Sequence, residues 1–334
     1  MVDVGRVVQW VSVAGNMTRV LWMGGHVAAD RVTSEDAKCV SDIVLMIPGN
    51  PGVELFYEDF GDRFLKKIYA GHRSGDMFQK NALAFCVVSH LNHVRLPNEL
   101  RGEGEQRPDD RISLPGQIQH KFDFCSEHLS KSSKIVLVGH SIGSYIALKL
   151  LPLLINDGFT VLKVFGLFPT IERMASSPNG KFMYPMLVKL RNYDSYLKFC
   201  GGSIDYLPKW LKKFFCGVYF SHSETPSCIP EAATELMDIN VIRNIVYMGA
   251  DELETVIELD ESLLEHKRLL QFYYGAKDGW CPIAYGKEML ERLGEEIVTI
   301  DAGDCEHAFV IKNGDVMAKR VADWVSYQSH IVSS

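Results

Sequence analysis

The chain has 334 residues, 47% of them hydrophobic, and a formal net charge of −7. That size and apolar fraction suit one large domain with an insertion, or two smaller domains. The negative balance leaves no general basic surface for nucleic acid. The first residues, Met1 to Val13, lack the charged region, apolar stretch and cleavage site of a secretory leader. No apolar run reaches the ~18–20 residues that cross a bilayer. The eight cysteines are scattered, without a CxxC pair or a Cys/His cluster at zinc spacing. Reduced core thiols and no bound metal are therefore expected.

Short apolar runs alternate with amphipathic stretches, the pattern of βαβ units and a mostly parallel sheet. Strands are predicted at 7–15 and 18–25, forming a hairpin, then at 42–49, 83–90, 134–140, 160–169, 269–275 and 295–303. Helical spacing of apolar residues predicts helices over 55–69, 114–129, 141–154 and 310–327. Eight such strands suit one doubly wound sheet with helices on both faces. The rhythm breaks between about Glu172 and His266. Nearly a hundred residues there exceed what a plain crossover needs, so 172–266 is read as an inserted helical cap on a core made of 1–171 and 267–334. The acidic stretch from Asp251 to Glu265 reads as a solvated face rather than a metal site.

Gly139-His140-Ser141-Ile142-Gly143 has the form Gly-x-Ser-x-Gly between an apolar strand and a helical pattern. In that context a sharp turn lifts the serine hydroxyl clear of the sheet, and flanking glycines leave room for it. The first amides of the new helix offer partial positive charge to a developing oxyanion. A serine hydroxyl needs a base to become a nucleophile. Well downstream lie His222, His266, His307 and His330. His222 and His266 fall in or beside the cap and His330 in the tail. His307 follows the last strand, where the base belongs on such sheets. Asp278 follows the preceding strand and is placed to accept the His307 Nδ1 proton, with Glu172 as the spare acid. An Asx turn in Lys277-Asp278-Gly279 is the plain alternative for Asp278. Asp304 and Glu306 are too close in sequence to reach over His307. A second oxyanion donor is expected from the stiff loop after the 42–49 strand; Pro51 has no N–H, which leaves Asn50, with Ile142 as its counterpart. His140 is expected to be buried and structural.

Five separated blocks in order, Met46–Phe60, Gly139–Leu151, Leu167–Gly180, Tyr273–Pro282 and Cys305–Val310, resemble the lipid droplet-associated hydrolase family of α/β-hydrolases. The resemblance implies an α/β-hydrolase fold, a Ser141–Asp278–His307 triad, no cofactor, hydrolysis of lipid esters with sterol esters as the class proposed, and residence on lipid droplets or the endoplasmic reticulum. A monotopic droplet protein needs a surface for lipid. Leu207, Trp210, Leu211, Phe214 and Phe215 follow an i, i+3, i+4, i+7, i+8 pattern, with Lys209, Lys212 and Lys213 largely off that face. The segment 181–220 carries seven basic and two acidic residues, a local reversal of the chain's charge. Such a helix lies in a lipid interface or forms a lid over the catalytic cleft; the pattern fits both. Met183, Met186 and Leu187 extend the same surface on this reading. The rival to an enzyme is a lipid-surface scaffold with an idle triad; a soluble thioesterase or peptidase is the third reading.

Overall fold

The computed structural model describes residues 4–24, 34–71, 83–100, 107, 109–220, 225–301 and 303–332. Eight strands form one sheet: β1 (Arg6–Val13), β2 (Asn16–Gly24), β3 (Asp42–Ile47), β4 (Leu83–Val88), β5 (Lys134–His140), β6 (Thr160–Leu167), β7 (Leu270–Gly275) and β8 (Val298–Asp301). Their spatial order is β1-β2-β4-β3-β5-β6-β7-β8. β1 and β2 form the expected antiparallel hairpin, and β3 to β8 run parallel. Ala14 and Gly15, both at positive φ, make its two-residue turn. Gly25 and Ala302, which the predicted strands included, lie outside the described residues.

The helices are α1 (Ser34–Cys39), α2 (Glu58–Gly71), α3 (Leu114–His128), α4 (Ile142–Asn156), α5 (Pro178–Asn192), α6 (Asp194–Gly201), α7 (Lys209–Phe220), α8 (Cys228–Glu235), α9 (Ile239–Thr255), α10 (Ile283–Leu293), α11 (Phe309–Lys312) and α12 (Gly314–Val332). The predicted helices at 55–69, 114–129 and 141–154 match a 3₁₀ turn continuing into α2, then α3 and α4. The single helix predicted at 310–327 divides into α11 and α12. α1 and α10 lie outside the predicted helices, although α10 is amphipathic and buries Gly286 and Met289.

β3, β4 and most of β5 are buried on both faces, which is why they read as continuous apolar runs. Phe165 packs on Trp324 of α12, whereas the next residue, Gly166, lies against Ser144 of α4. Successive strand residues face opposite ways, so α12 and α4 cover opposite faces. Between β6 and β7 the described residues form no strand: they hold α5 to α9, with α9 packed on α5 and α6.

From β3 the chain runs to β4 on one side, and from β5 it runs to β6 on the other. At that switch the loops part and leave a crevice beyond the carboxyl ends of β3 and β5. α4 can approach this point only because residue 143 is glycine. A Cβ there would overlap the carbonyl oxygens of Ile47 and Pro48, and backbone cannot step aside as a flexible side chain would. Gly143→Ala is therefore expected to cost about 1–3 kcal/mol, read as a lowered urea midpoint. An unchanged midpoint would show that α4 does not sit this close to β3.

Candidate active site

Ser141 stands between β5 and α4 with φ 55 and ψ −125. Its N–H donates to the Leu167 carbonyl at 2.9 Å, and its carbonyl accepts from the Ser144 N–H at 2.9 Å. The side chain makes no cap hydrogen bond to α4. The hydroxyl is thus free for other partners, and the first N–H groups of α4, which have no intrahelical acceptor, stay uncapped by it.

That partner is His307, on the loop between β8 and α11. Ser141 Oγ lies 2.9 Å from His307 Nε2, and His307 Nδ1 lies 2.6 Å from Asp278 Oδ2. An ionised carboxylate only accepts, so Nδ1 carries the proton and Nε2 is left to accept from the serine. Asp278 is buried after β7. Its Oδ1 accepts from the N–H groups of Trp280 (2.7 Å) and Cys281 (3.1 Å), and the Cys281 thiol donates to Oδ2 at 3.0 Å. Burial pushes this carboxyl up, but the His307 hydrogen bond and charge, with the Cys281 and Trp280 donors, outweigh it and hold it below its ordinary value. The ligand atoms of Asp278, Cys281 and His307 lie within 4.8 Å of one another, a gathering these hydrogen bonds account for. Asp278 thus combines the turn's backbone hydrogen bonds with one to His307.

The other titratable candidates are elsewhere. Glu172 is turned to Arg173 at 3.0 Å. Asp304 pairs with Lys277 and Glu306 with Lys312, all exposed. His222 lies outside the described residues, and nothing is described of the His330 side chain.

His140 is more than a buried filler. Its Nε2 lies 2.8 Å from the His307 carbonyl oxygen and must donate to it. Its Nδ1 therefore accepts from the Tyr57 hydroxyl at 2.8 Å, whose oxygen accepts from the Gly49 N–H at 2.8 Å. One buried chain of hydrogen bonds thus ties the loop after β3, the serine turn and the histidine loop together. Tyr57 was missed in the sequence because a tyrosine in an apolar helical pattern reads as core; Cys281, three residues after Asp278, reads as a core thiol.

The Gly49–Gly52 loop lies beside Ser141: a Cβ on Gly49 would come within 3.1 Å of the Ser141 Cβ. Asn50 lines the same cavity as Ser141, His140 and His307. The cavity, of about 340 Å³, is walled by Met174, Met183, Leu187, Leu253, Trp280 and Ile311, and by the carboxyl-bearing Glu252. Two sequence expectations change here. Glu252 is buried, not part of a solvated acidic face, because α9 turns it inward toward Asn50. Met183 and Leu187 face the cavity, while Met186 is exposed, so these three do not share one surface.

α7 also differs from its predicted face. Trp210, Phe214 and Phe215 are exposed, but Leu207 precedes the helix and Leu211 is half-buried. Lys212 and Cys216 point inward, since the lysine stem packs down while its ammonium reaches the Met237 carbonyl at 2.5 Å. No α7 residue lines the catalytic cavity; α5 and α9 cover it.

A model of the lipid-droplet associated hydrolase family matches residues 40–310. The chain belongs to this family. Among curated relatives, the lipid droplet-associated hydrolase of Gallus gallus is 33% identical over 290 residues, covering 85% of this chain and 84% of its own. That of Mus musculus is 30% identical over 302 residues, 87% of each chain. The human protein is 29% identical, covering 94% and 93%. Family membership brings the fold with it, and solved structures agree. A thermophilic esterase from Thermogutta terrifontis matches with TM-score 0.56 at 13% identity, over 96% and 99% of the chains. Haloalkane dehalogenase DatA from Agrobacterium tumefaciens matches with TM-score 0.61 at 12% identity, over 97% of each. At such identities the likeness concerns the fold alone, and it is the α/β-hydrolase fold.

Near the site, burial holds His90, His93, His120 and His140 below the ordinary histidine range, His93 and His140 down to about 3. Unfolded, each takes up a proton near pH 6.5; folded, it does not until far lower. Stability is therefore complete above pH 6.5 and falls as pH drops below it, by up to about 1.4 kcal/mol per pH unit for each histidine. Urea unfolding at pH 7.5, 6.5, 5.5 and 4.5 is expected to show that fall; a flat profile would contradict it.

Proposed function

We propose that this chain is a serine ester hydrolase that cleaves lipid esters at the surface of lipid droplets. The observation that carries the reading is the hydrogen-bonded relay Ser141–His307–Asp278 opening into an apolar cavity. Ser141 Oγ attacks the ester carbonyl as its proton passes to His307 Nε2. Asp278 holds the ring and stabilises the imidazolium. The N–H groups of Asn50 and Ile142 take the charge that develops on the carbonyl oxygen. His307 then gives its proton to the departing alkoxide, and the acyl group stays on Ser141. A water molecule gives a proton to His307 Nε2 and attacks the acyl-enzyme; the acyl–Oγ bond breaks, the fatty acid leaves, and His307 returns the proton to Ser141 Oγ. Each step is carried by groups of the chain itself.

The substrate is a sterol ester or related lipid ester, presented from the droplet or the cytosolic face of the endoplasmic reticulum, and the role is in turnover of stored sterol and glyceride lipid. A cavity of about 340 Å³ sits at the low end of ligand pockets. It suits one acyl chain, with the alcohol part left at the lipid side. Segment 172–266 acts as the cap. Among described residues, eleven of the fifteen exposed large hydrophobic side chains fall between Phe182 and Tyr219. That concentration exceeds what scattered surface residues need and supports monotopic attachment through Trp210, Phe214, Phe215 and their neighbours. No helix of the described residues is long and apolar enough to cross a membrane.

The test compares a soluble short-chain ester with an emulsified lipid ester. Trp210→Asp with Phe214→Asp is expected to leave soluble turnover within about twofold and to cut emulsion turnover and droplet binding at least tenfold. Ser141→Ala is expected to abolish both activities and keep droplet binding. Droplet binding without Ser141-dependent turnover on either substrate would favour the scaffold; unchanged emulsion turnover in the double variant would remove α7 from the lipid surface.

A further inference from the structure

The side chain of Asn50 has its own site. Its Nδ2 donates to the Ile245 carbonyl and to Glu252 Oε1, each at 3.1 Å. Ile245, Gly249 and Glu252 stand at i, i+4 and i+7, one stripe along α9 facing the cavity. Gly249 opens the stripe: a Cβ there would lie 3.4 Å from Asn50 Nδ2 and 3.2 Å from Leu187. The loop after β3 is thereby fastened to a helix that lies between β6 and β7. Nothing in the relay of Ser141, His307 and Asp278 uses this contact.

We propose that Glu252 is a positioning residue for the oxyanion loop, holding the Asn50 main chain in place through the Asn50 carboxamide and α9. The proposal rests on the ester hydrolase reading and names a further group in that site. Glu252 is 2% exposed. Burial pushes its carboxyl up to about 8, against the Asn50 hydrogen bond and with the help of the Asp251 charge. Near neutral pH it is the uncharged acid, and its carbonyl oxygen still accepts from Asn50. Once ionised, it sets a full negative charge in an apolar wall close to where the oxyanion develops, which opposes the transition state.

The groups facing Glu252 are few. Asp251, beside it on α9, accepts from the Leu114 N–H at 2.6 Å. From α5 the cavity receives Met183 and Leu187, both apolar. Tyr57, His140 and His307 occupy other walls of the cavity. Beneath the same loop, the Gly52 N–H donates to His93 Nδ1 at 3.1 Å, and Lys121, lowered by burial to about 7, donates to the Ser89 carbonyl. Lys121 is thus the competing source of an alkaline effect on this loop.

The experiment measures kcat and KM of the full chain on a soluble short-chain ester from pH 6 to 10, for wild type, Glu252→Gln and Glu252→Ala. Wild-type kcat is expected to fall at least tenfold above about pH 8. Glu252→Ala lowers kcat at least tenfold at pH 7, with KM changed less than threefold. Glu252→Gln keeps an acceptor for the Asn50 amide but cannot ionise, so it recovers most of the kcat lost in Glu252→Ala and lacks the alkaline fall. A wild type without the fall, a Glu252→Gln that keeps it, or a Glu252→Ala with wild-type kcat overturns the proposal; persistence in Glu252→Gln assigns the fall to Lys121. Absence of any Ser141-dependent turnover in wild type overturns the hydrolase reading instead, and this proposal with it.

Discussion

The backbone of Ser141 is the constraint on which the rest depends. A non-glycine residue at φ 55 and ψ −125 costs about 1–3 kcal/mol and survives only where its surroundings dictate it. Here they do. β5 is flanked by β3 and β6 in register up to Gly139 and His140. The Ser141 N–H is held by Leu167, and Gly139 and Gly143 let α4 start hard against the ends of β5 and β3. The strain places one hydroxyl above the sheet, at the crevice where the β3 and β5 loops part. The other groups then arrive from the ends of β3, β7 and β8.

Much of this was legible in the sequence for a plain reason. Parallel strands buried on both faces must be apolar runs, and the Gly-x-Ser-x-Gly turn needs its residues at fixed spacing because backbone atoms crowd it. His307 and Asp278 were legible because they follow strands whose order was readable. What escaped notice depends on partners distant in the chain. Nothing in the stretch Ala250–Thr255 distinguishes Glu252 from Glu254; one is buried against Asn50 and the other pairs at the surface with Arg191. Tyr57 and His140 read as core and are core, yet their hydrogen bonds join three loops. On α7 the apolar spacing was real, but which face turns inward was decided by α8 and Met237, and a lysine stem took an inward place.

The region between β6 and β7 has two apolar surfaces with different tasks. α5 and α9 turn Met183, Leu187 and Leu253 into the catalytic cavity. Across α5, α6 and α7, aromatic side chains such as Phe182, Phe199 and Trp210 face outward. A covering that both walls the cavity and exposes aromatics is suited to deliver an apolar ester from a lipid phase without carrying it through water. The Asn50 side chain joins the loop after β3 to α9 of that covering.

The central claim is that Ser141 is an activated nucleophile. Its most direct test is reaction of the purified chain with a fluorophosphonate probe, with the adduct mapped by mass spectrometry. One adduct is expected, on Ser141, formed by wild type and lost in His307→Ala. Folded wild type that forms no adduct, with or without lipid present, would contradict it.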